Sequence, residues 1–241
     1  MITIIHPSRS RPKIAYETAL KWIERIGLPE TEFEYILSLD NDDPELWNYK
    51  NHFPCLNFTI FRGDNRSAID AINFPAKFYS AYRGQEENSK DFLIVISDDF
   101  DCNENWGCQL KVEVDKIYHN DWLIKTFDGI QPWIITLPIM DWAYYRRFNY
   151  IYCPEYKHAF CDTEMTLVGE LTGKLLIHPF LSFEHKHYSV GGLLKDDLYE
   201  RNDKTFEEGK KIFIERRNRN FYLKPEEIIK DWPNNVYTRM Q

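Results

Sequence analysis

The sequence predicts an α/β protein with a mostly parallel central sheet flanked by helices. Three observations lead there. The apolar runs Ile2 to Ile5, Phe33 to Leu39, Leu56 to Phe61 and Phe92 to Ile96 are mostly continuous rather than alternating, as in strands buried on both faces. Segments with helical spacing separate most of them, which is the order of right-handed parallel crossovers. Polar or charged residues follow these runs, and open α/β sheets bind ligands at the carboxyl ends of their strands.

Taken in order, Ile2 to Ile5 form a first strand, followed by the basic, turn-rich loop Pro7-Ser8-Arg9-Ser10-Arg11-Pro12. Ile14 to Ile26 read as a helix stopped by Gly27. Phe33 to Leu39 form a second strand running into Asp40-Asn41-Asp42-Asp43-Pro44. Leu56 to Phe61 form a third, followed by Arg62-Gly63-Asp64-Asn65-Arg66. Ala68 to Tyr82 are helical, with Pro75 expected to break or kink them. The fourth strand, Phe92 to Ile96, runs straight into Ser97-Asp98-Asp99-Phe100-Asp101.

The second half is less regular. Gln109 to Tyr118 read as a helix and Trp133 to Leu137 as a strand ending at Pro138. Asp141 to Phe148 read as a short helix and Asp162 to Thr172 as a longer one stopped by Gly173. Leu175 to Phe183 are strand-like. Thr205 to Arg217 form a charged helix, and Pro225 to Trp232 a last one. With no internal repeat and no linker, residues 1–241 read as a single domain. Its parts are a ligand-binding half at 1–101, a second half at 102–190 and a helical extension at 191–241.

Composition bounds the function. The chain has 241 residues and a net charge of −8, which argues against a general nucleic-acid binder. Aromatic residues make up 16%, which suits a cleft for sugars or bases but equally a core. The five cysteines, Cys55, Cys102, Cys108, Cys153 and Cys161, show no C-x-x-C spacing. Reduced thiols and a cytoplasmic location are expected rather than a disulfide framework or a zinc site. The first residues do not read as a signal peptide, and no apolar stretch is long enough to span a membrane.

Chemistry-bearing residues fall at one edge of the expected sheet: Ser8, Arg9 and Arg11 after the first strand, Asp40 after the second, Asn65 and Arg66 after the third, Asp98 and Asp99 after the fourth. Adjacent carboxylates repel, and a hard divalent cation removes that conflict. Basic loops and exposed backbone N–H groups suit phosphates. The competing reading of Asp98 and Asp99 is a solvated turn.

The order of these pieces resembles the GT-A glycosyltransferases, especially the family 2 type, over most of Met1 to His187. Pro7 to Pro12 resembles their first-strand nucleotide loop, and Asp40 their second-strand acid, which contacts the base. Arg66-Ser67-Ala68-Ile69-Asp70-Ala71-Ile72-Asn73 is similar to their basic-then-Ala-x-Asn segment, so Arg66 and Asn73 are expected beside the nucleotide. Ser97-Asp98-Asp99 matches their metal-binding D-x-D, with Ser97 replacing the first acid. Asp99 is then the expected metal ligand and Asp98 a nucleotide-site residue. Cys161-Asp162-Thr163-Glu164 resembles the E-D motif whose Asp is the general base of inverting members, with Cys161 in the Glu position. The plainer reading of Asp162 is a helix cap. In His185-Lys186-His187, residues i and i+2 of an extended segment share a face, and the resemblance makes His185, with His187 in reserve, a metal ligand. It also places Trp142, Tyr144, Tyr145, Arg146 and Arg147 near donor and acceptor.

The resemblance implies a hexosyltransferase-like enzyme using Mn²⁺ or Mg²⁺ and a nucleotide-diphosphate sugar, a UDP-sugar first among them. The acceptor would be a hydroxyl of a glycan, protein, lipid-linked sugar or modified nucleic-acid base, attacked with inversion and with Asp162 as base. The alternatives are a nucleotidyltransferase, although the first loop lacks glycine, and a non-catalytic nucleotide- or sugar-binding module on the same fold.

Overall fold

The computed structural model describes residues 1–53, 58–85, 89–186 and 204–229. The elements of the first half are β1 (Ile2–Pro7), α1 (Pro12–Glu24), β2 (Phe33–Asp40), α2 (Leu46–His52), β3 (Thr59–Gly63), α3 (Ala68–Tyr79), β4 (Phe92–Val95) and β5 (Phe100–Asp101). The second half contributes α4 (Trp106–Asp115), β6 (Leu123–Phe127), β7 (Ile139–Asp141), α5 (Trp142–Phe148), α6 (Cys161–Leu171), β8 (Leu175–Ser182), β9 (Glu184–His185) and α7 (Phe206–Asn218).

A 7-stranded sheet runs in the order β3-β2-β1-β4-β7-β6-β8, and β5 pairs with β9 in a 2-stranded sheet. β1–β2, β2–β3, β1–β4 and β6–β8 are parallel, while β7 is antiparallel to both neighbours. The mostly parallel sheet expected from the apolar runs is present. Alternate residues of each strand feed two cores. Ile4, Leu37 and Ile94 pack with Trp22 of α1 and Trp106 of α4. Ile5, Ile36 and Leu93 pack on the other face with residues of α3, α5 and α6. This is the period-2 alternation of a pleated strand.

Several elements differ from the sequence expectation. α3 runs through Pro75 without breaking. Proline at this position leaves the carbonyl four residues earlier without its helical donor, and the buried Ser38 hydroxyl of β2 donates to that carbonyl, Ala71 O, at 2.7 Å. Trp133 to Leu137 are not a strand. They form an apolar loop in which Ile135 N–H donates to the Thr166 hydroxyl at 2.9 Å. The strands of this region are instead β6 and β7. α2, a helix of 7 residues, follows a turn made by Asp43, whose carboxylate accepts from Glu45 N–H at 2.8 Å. Phe100 and Asp101 form the short strand β5. Of the expected last helix, the structure shows one 3₁₀ turn at Pro225–Glu227, and residues beyond 229 lie outside the described chain. Leu56 and Cys55 lie outside it as well.

Candidate functional site

β1 lies between β2 and β4: the chain leaves β1 toward β2 on one side and, after β3, crosses back to enter β4 on the other. Such a switch point opens a crevice in an α/β sheet. A cavity of about 600 Å³ lies there. Pro7, Ser8, Arg9, Arg11, Asp40, Arg66, Asp98, Asp99, Asp162 and His185 are among the residues that line it.

The loop after β1 is fastened from below by a buried polar network. His6 places one ring nitrogen 2.6 Å from the Tyr35 hydroxyl and the other 2.8 Å from Asp98 Oδ1. Ser8 donates to Asp98 Oδ2 at 3.0 Å and shares a hydrogen bond of 2.8 Å with the Tyr49 hydroxyl. That hydroxyl accepts from Arg11 N–H at 3.1 Å, and Arg11 Nη1 lies 3.9 Å from Asp98 Oδ2. Tyr49 comes from α2, so a helix that sequence reading missed completes the network. Asp98 thus binds protein groups through both of its oxygens.

Above this base, Arg9 donates to Asp40 at 2.6 Å and to Asp42 at 2.5 Å. Asn65 donates to the other Asp40 oxygen at 2.9 Å. The buried carboxylate of Asp40 is therefore aimed by groups from β1 and β3. Asn65 itself is not among the lining residues; it acts on the cavity wall through Asp40. Arg66 lines the cavity rim and pairs with Asp70 one helical turn on, at 2.9 Å.

Asp99 stands at the other side of the switch point. Ser97 donates its hydroxyl to Oδ1, and Oδ2 lies 3.3 Å from His185 Nε2. His185 arrives from the far end of the chain because β9 pairs with β5, with Phe100 opposite His185. The Phe100 ring stacks on the imidazole at a 4.3 Å centroid distance. The other ring nitrogen, Nδ1, faces Asp128 Oδ2 at 3.8 Å. Burial opposes protonation of His185, but the carboxylates of Asp128 and Asp99 outweigh it and hold the imidazole at about 9. Among the described residues no group of three or more His, Cys, Asp or Glu side chains is arranged to hold a metal ion. His187 lies outside the described residues.

Asp162 sits in the first turn of α6. The N-cap position belongs to Phe160, and no side chain caps it. The Asp162 carboxylate accepts from Thr163 N–H at 2.7 Å and from the Thr163 hydroxyl at 3.3 Å. The helix-cap reading therefore does not describe Asp162. Burial raises its carboxyl above the ordinary aspartate value. Cys161, in place of an acid, turns its thiol to His158 O at 2.9 Å. Behind the site, Glu164 pairs with Arg216 of α7 at 2.9 Å and accepts from the Tyr156 hydroxyl at 2.7 Å, which fastens α6 to the C-terminal helix.

Some expected site residues serve the scaffold. Asn73 does not line the cavity. Its amide donates to Tyr152 O at 2.7 Å and accepts from Ile151 and Tyr152 N–H, so it braces the 151–152 segment against α3. Arg146 donates to the Arg83 and Gly84 carbonyls. Arg147 pairs with Asp121 and Glu227. Trp142, Tyr144 and Tyr145 are buried in the core. A charged and aromatic helix looks the same in sequence whether its arginines meet a ligand or the protein. Residues that the sequence reading did not single out, Gln131, Thr136, Lys157 and His158 among them, also line the cavity.

No protein-family model and no curated protein matches the sequence. Solved structures do match in shape. Residues 1–349 of S. aureus TarS in complex with UDP superpose with a TM-score of 0.58 at 16% identity, over 93% of this chain and 73% of that one. For a longer S. aureus TarS structure, also at 0.58 and 15% identity, 94% of this chain spans 46% of the other, less than half its length. The mannosyltransferase PcManGT from Pyrobaculum calidifontis, in complex with GDP-Man and Mn²⁺, superposes at 0.57 with 10% identity, over 76% of this chain and 56% of that chain. Strand order, the switch-point cavity and these superpositions agree on the architecture: the chain has the GT-A fold of the nucleotide-diphospho-sugar transferases.

Proposed function

We propose that the chain is a metal-dependent glycosyltransferase that moves a sugar from a nucleotide-diphosphate sugar to a hydroxyl acceptor with inversion. The observation that carries this reading is the opening of Asp40, Asp99, His185 and Asp162 onto one cavity at the switch point. The similar structures contain UDP, UDP-GlcNAc, or GDP-Man with Mn²⁺, which favours a nucleotide sugar and keeps a UDP-sugar first. In this reading one domain covers residues 1–241. Its parts are the nucleotide half at 1–101, the acceptor half at 102–190 and the C-terminal extension.

A carboxylate oxygen of Asp99 and an imidazole nitrogen of His185 fit Mn²⁺ or Mg²⁺ as part of a shell. Cations that bind with substrate phosphates take few ligands from the protein. When bound, the cation supplies Lewis-acid stabilisation of the leaving diphosphate. The chain's own residues do the rest. Asp40 accepts a hydrogen bond from the nucleoside. Arg11 and Lys157, both at the cavity wall, bring positive charge to the phosphates. Asp162, whose proton affinity is raised by burial, takes the proton of the acceptor hydroxyl as it attacks the anomeric carbon.

The test is turnover of a panel of nucleotide sugars with Mn²⁺, read as release of free nucleoside diphosphate. Release that is faster with an acceptor and is abolished by chelation supports the proposal. Metal-dependent nucleotide binding with no turnover of any donor would leave a binding module instead.

A further inference from the structure

Asp128, just past the end of β6, is a buried carboxylate with unusually complete support. Its Oδ1 accepts from Ile130 N–H at 2.8 Å and from Gln131 N–H at 2.6 Å, and its Oδ2 accepts from the Thr136 hydroxyl at 2.7 Å. The same Oδ2 faces His185 Nδ1 at 3.8 Å. The tie is doubled by the backbone, because His185 N–H donates to Asp128 O at 2.9 Å. With Phe100 stacked on the ring, His185 is held on its face and at its backbone, and its Nδ1 faces a carboxylate at ion-pair distance. Its Nε2 is left pointing at Asp99.

An imidazole can offer only one nitrogen to a cation, and the partner of the other nitrogen decides which one it is. A carboxylate behind the ring fixes the orientation of a ligating imidazole. A buried carboxylate is costly unless paired, and Asp128 is aimed at His185 although the loop already supplies its other hydrogen bonds. We infer that Asp128 is a positioning residue: it orients His185 so that Nε2, together with Asp99, faces the cation. The inference rests on the metal reading of the site. It adds a structural link, since the loop pinned by Asp128 also brings Ile130, Gln131, Ile134 and Thr136 to the cavity wall. The shape of that wall and the aim of the metal-facing imidazole are joined at one carboxylate.

The experiment is a double-mutant cycle. Mn²⁺ is titrated into the full chain with saturating uridine diphosphate, and free Mn²⁺ is followed by electron paramagnetic resonance. The proteins are wild type, Asp128→Asn, His185→Ala and the double variant. Loss of an outer-shell partner typically weakens metal affinity about 10–100-fold. Asp128→Asn should do so with His185 present and change nothing further in His185→Ala, because a residue acting through another has no effect once that other is gone. An equal loss in both backgrounds would show that Asp128 serves only the loop, and no loss in either would equally overturn the inference. If His185→Ala itself binds Mn²⁺ like wild type, the metal reading of His185 falls and the inference with it. Should Asp128→Asn fail to fold, Thr136→Val decides in the same two backgrounds. It frees Asp128 Oδ2 from its anchor and should give a smaller loss that again requires His185; a loss independent of His185, or none, overturns the inference.

Discussion

Asp99 and His185 lie 86 residues apart in sequence and 3.3 Å apart in the fold. A 2-residue strand, β9, brings them together. Neither residue makes a metal site alone, and the structure offers no third ready-made ligand among the described residues. Metal affinity is therefore expected to depend on the nucleotide.

That dependence separates two neighbouring acids. Asp101 is opposed by its burial, yet Lys186, Lys21 and Cys102 N–H hold its carboxyl at about 2. It is committed to cations of the protein. Asp99→Ala should abolish the Mn²⁺-dependent part of uridine diphosphate affinity, and Asp101→Ala should spare most of it. Calorimetry with and without Mn²⁺ measures both. The stability that Asp101 contributes is present above its unfolded value and disappears as pH falls through about 2, so Asp101→Ala should unfold at a lower temperature than wild type at pH 7.

Asp162→Asn should lower turnover about 10²–10⁴-fold, the usual contribution of a general base, with little change in nucleotide affinity. A raised carboxyl binds its proton more tightly in the folded than in the unfolded chain, so ionised Asp162 costs stability above its folded value. Removing the charge should therefore leave the variant at least as stable as wild type at pH 8. In wild type, kcat should fall with decreasing pH at a point above the ordinary aspartate range, and the acid limb should vanish from the residual activity of the variant. A variant that transfers sugar at the wild-type rate would remove Asp162 from the mechanism. A product with retained anomeric configuration would do the same.

Asp40→Asn keeps the size of the side chain and discards the charge that Arg9 meets. Weaker nucleotide binding with an unchanged Mn²⁺ requirement is expected, because Asp40 lies across the switch point from Asp99. Binding titrations at several Mn²⁺ concentrations check it; a shift in the Mn²⁺ midpoint alone would place Asp40 at the metal.

Ser38→Ala should destabilise the fold by about 1–3 kcal/mol, the cost of a buried polar group left without a partner. Ala71 O is the group concerned. In a Pro75→Ala background residue 75 regains its N–H and supplies Ala71 O from within the helix, so the Ser38→Ala effect should shrink. Urea denaturation of the four proteins gives the coupling.

The first half of the fold was legible because β1, β2 and β4 are buried on both faces and their apolar runs end where the ligand edge begins. β6 was hidden by Lys125 and Thr126 in its middle. Buried Lys125 donates to Pro132 O, a partner that local sequence does not reveal. Trp133 to Leu137 were misread for the converse reason: the segment is apolar, but its N–H at Ile135 goes to a side chain rather than to a neighbouring strand. Asp128 precedes a glycine and reads as turn chemistry, and its facing of His185 exists only after β5 and β9 pair. Strand ends and motif order point to Asp40, Asp98, Asp99 and Asp162, all of which line the cavity. They do not point to Tyr49, which supports Ser8, because the short helix that carries it is set by the Asp43 turn rather than by periodicity.

On the proposed function, the double engagement of Asp98 has a bearing on how a preference among nucleotides would be altered. His6 and Ser8 hold it from the β1 side while it belongs to the turn after β4, so this side of the cavity is organised before any ligand arrives. A preorganised surface loses little entropy on binding, and it tolerates little editing at its joint. Replacing Asp98 would loosen two chain segments together and blur every nucleotide alike. Selectivity between one base and another is better sought by substitution at the rim, where Arg66 is exposed and its change leaves the joint intact.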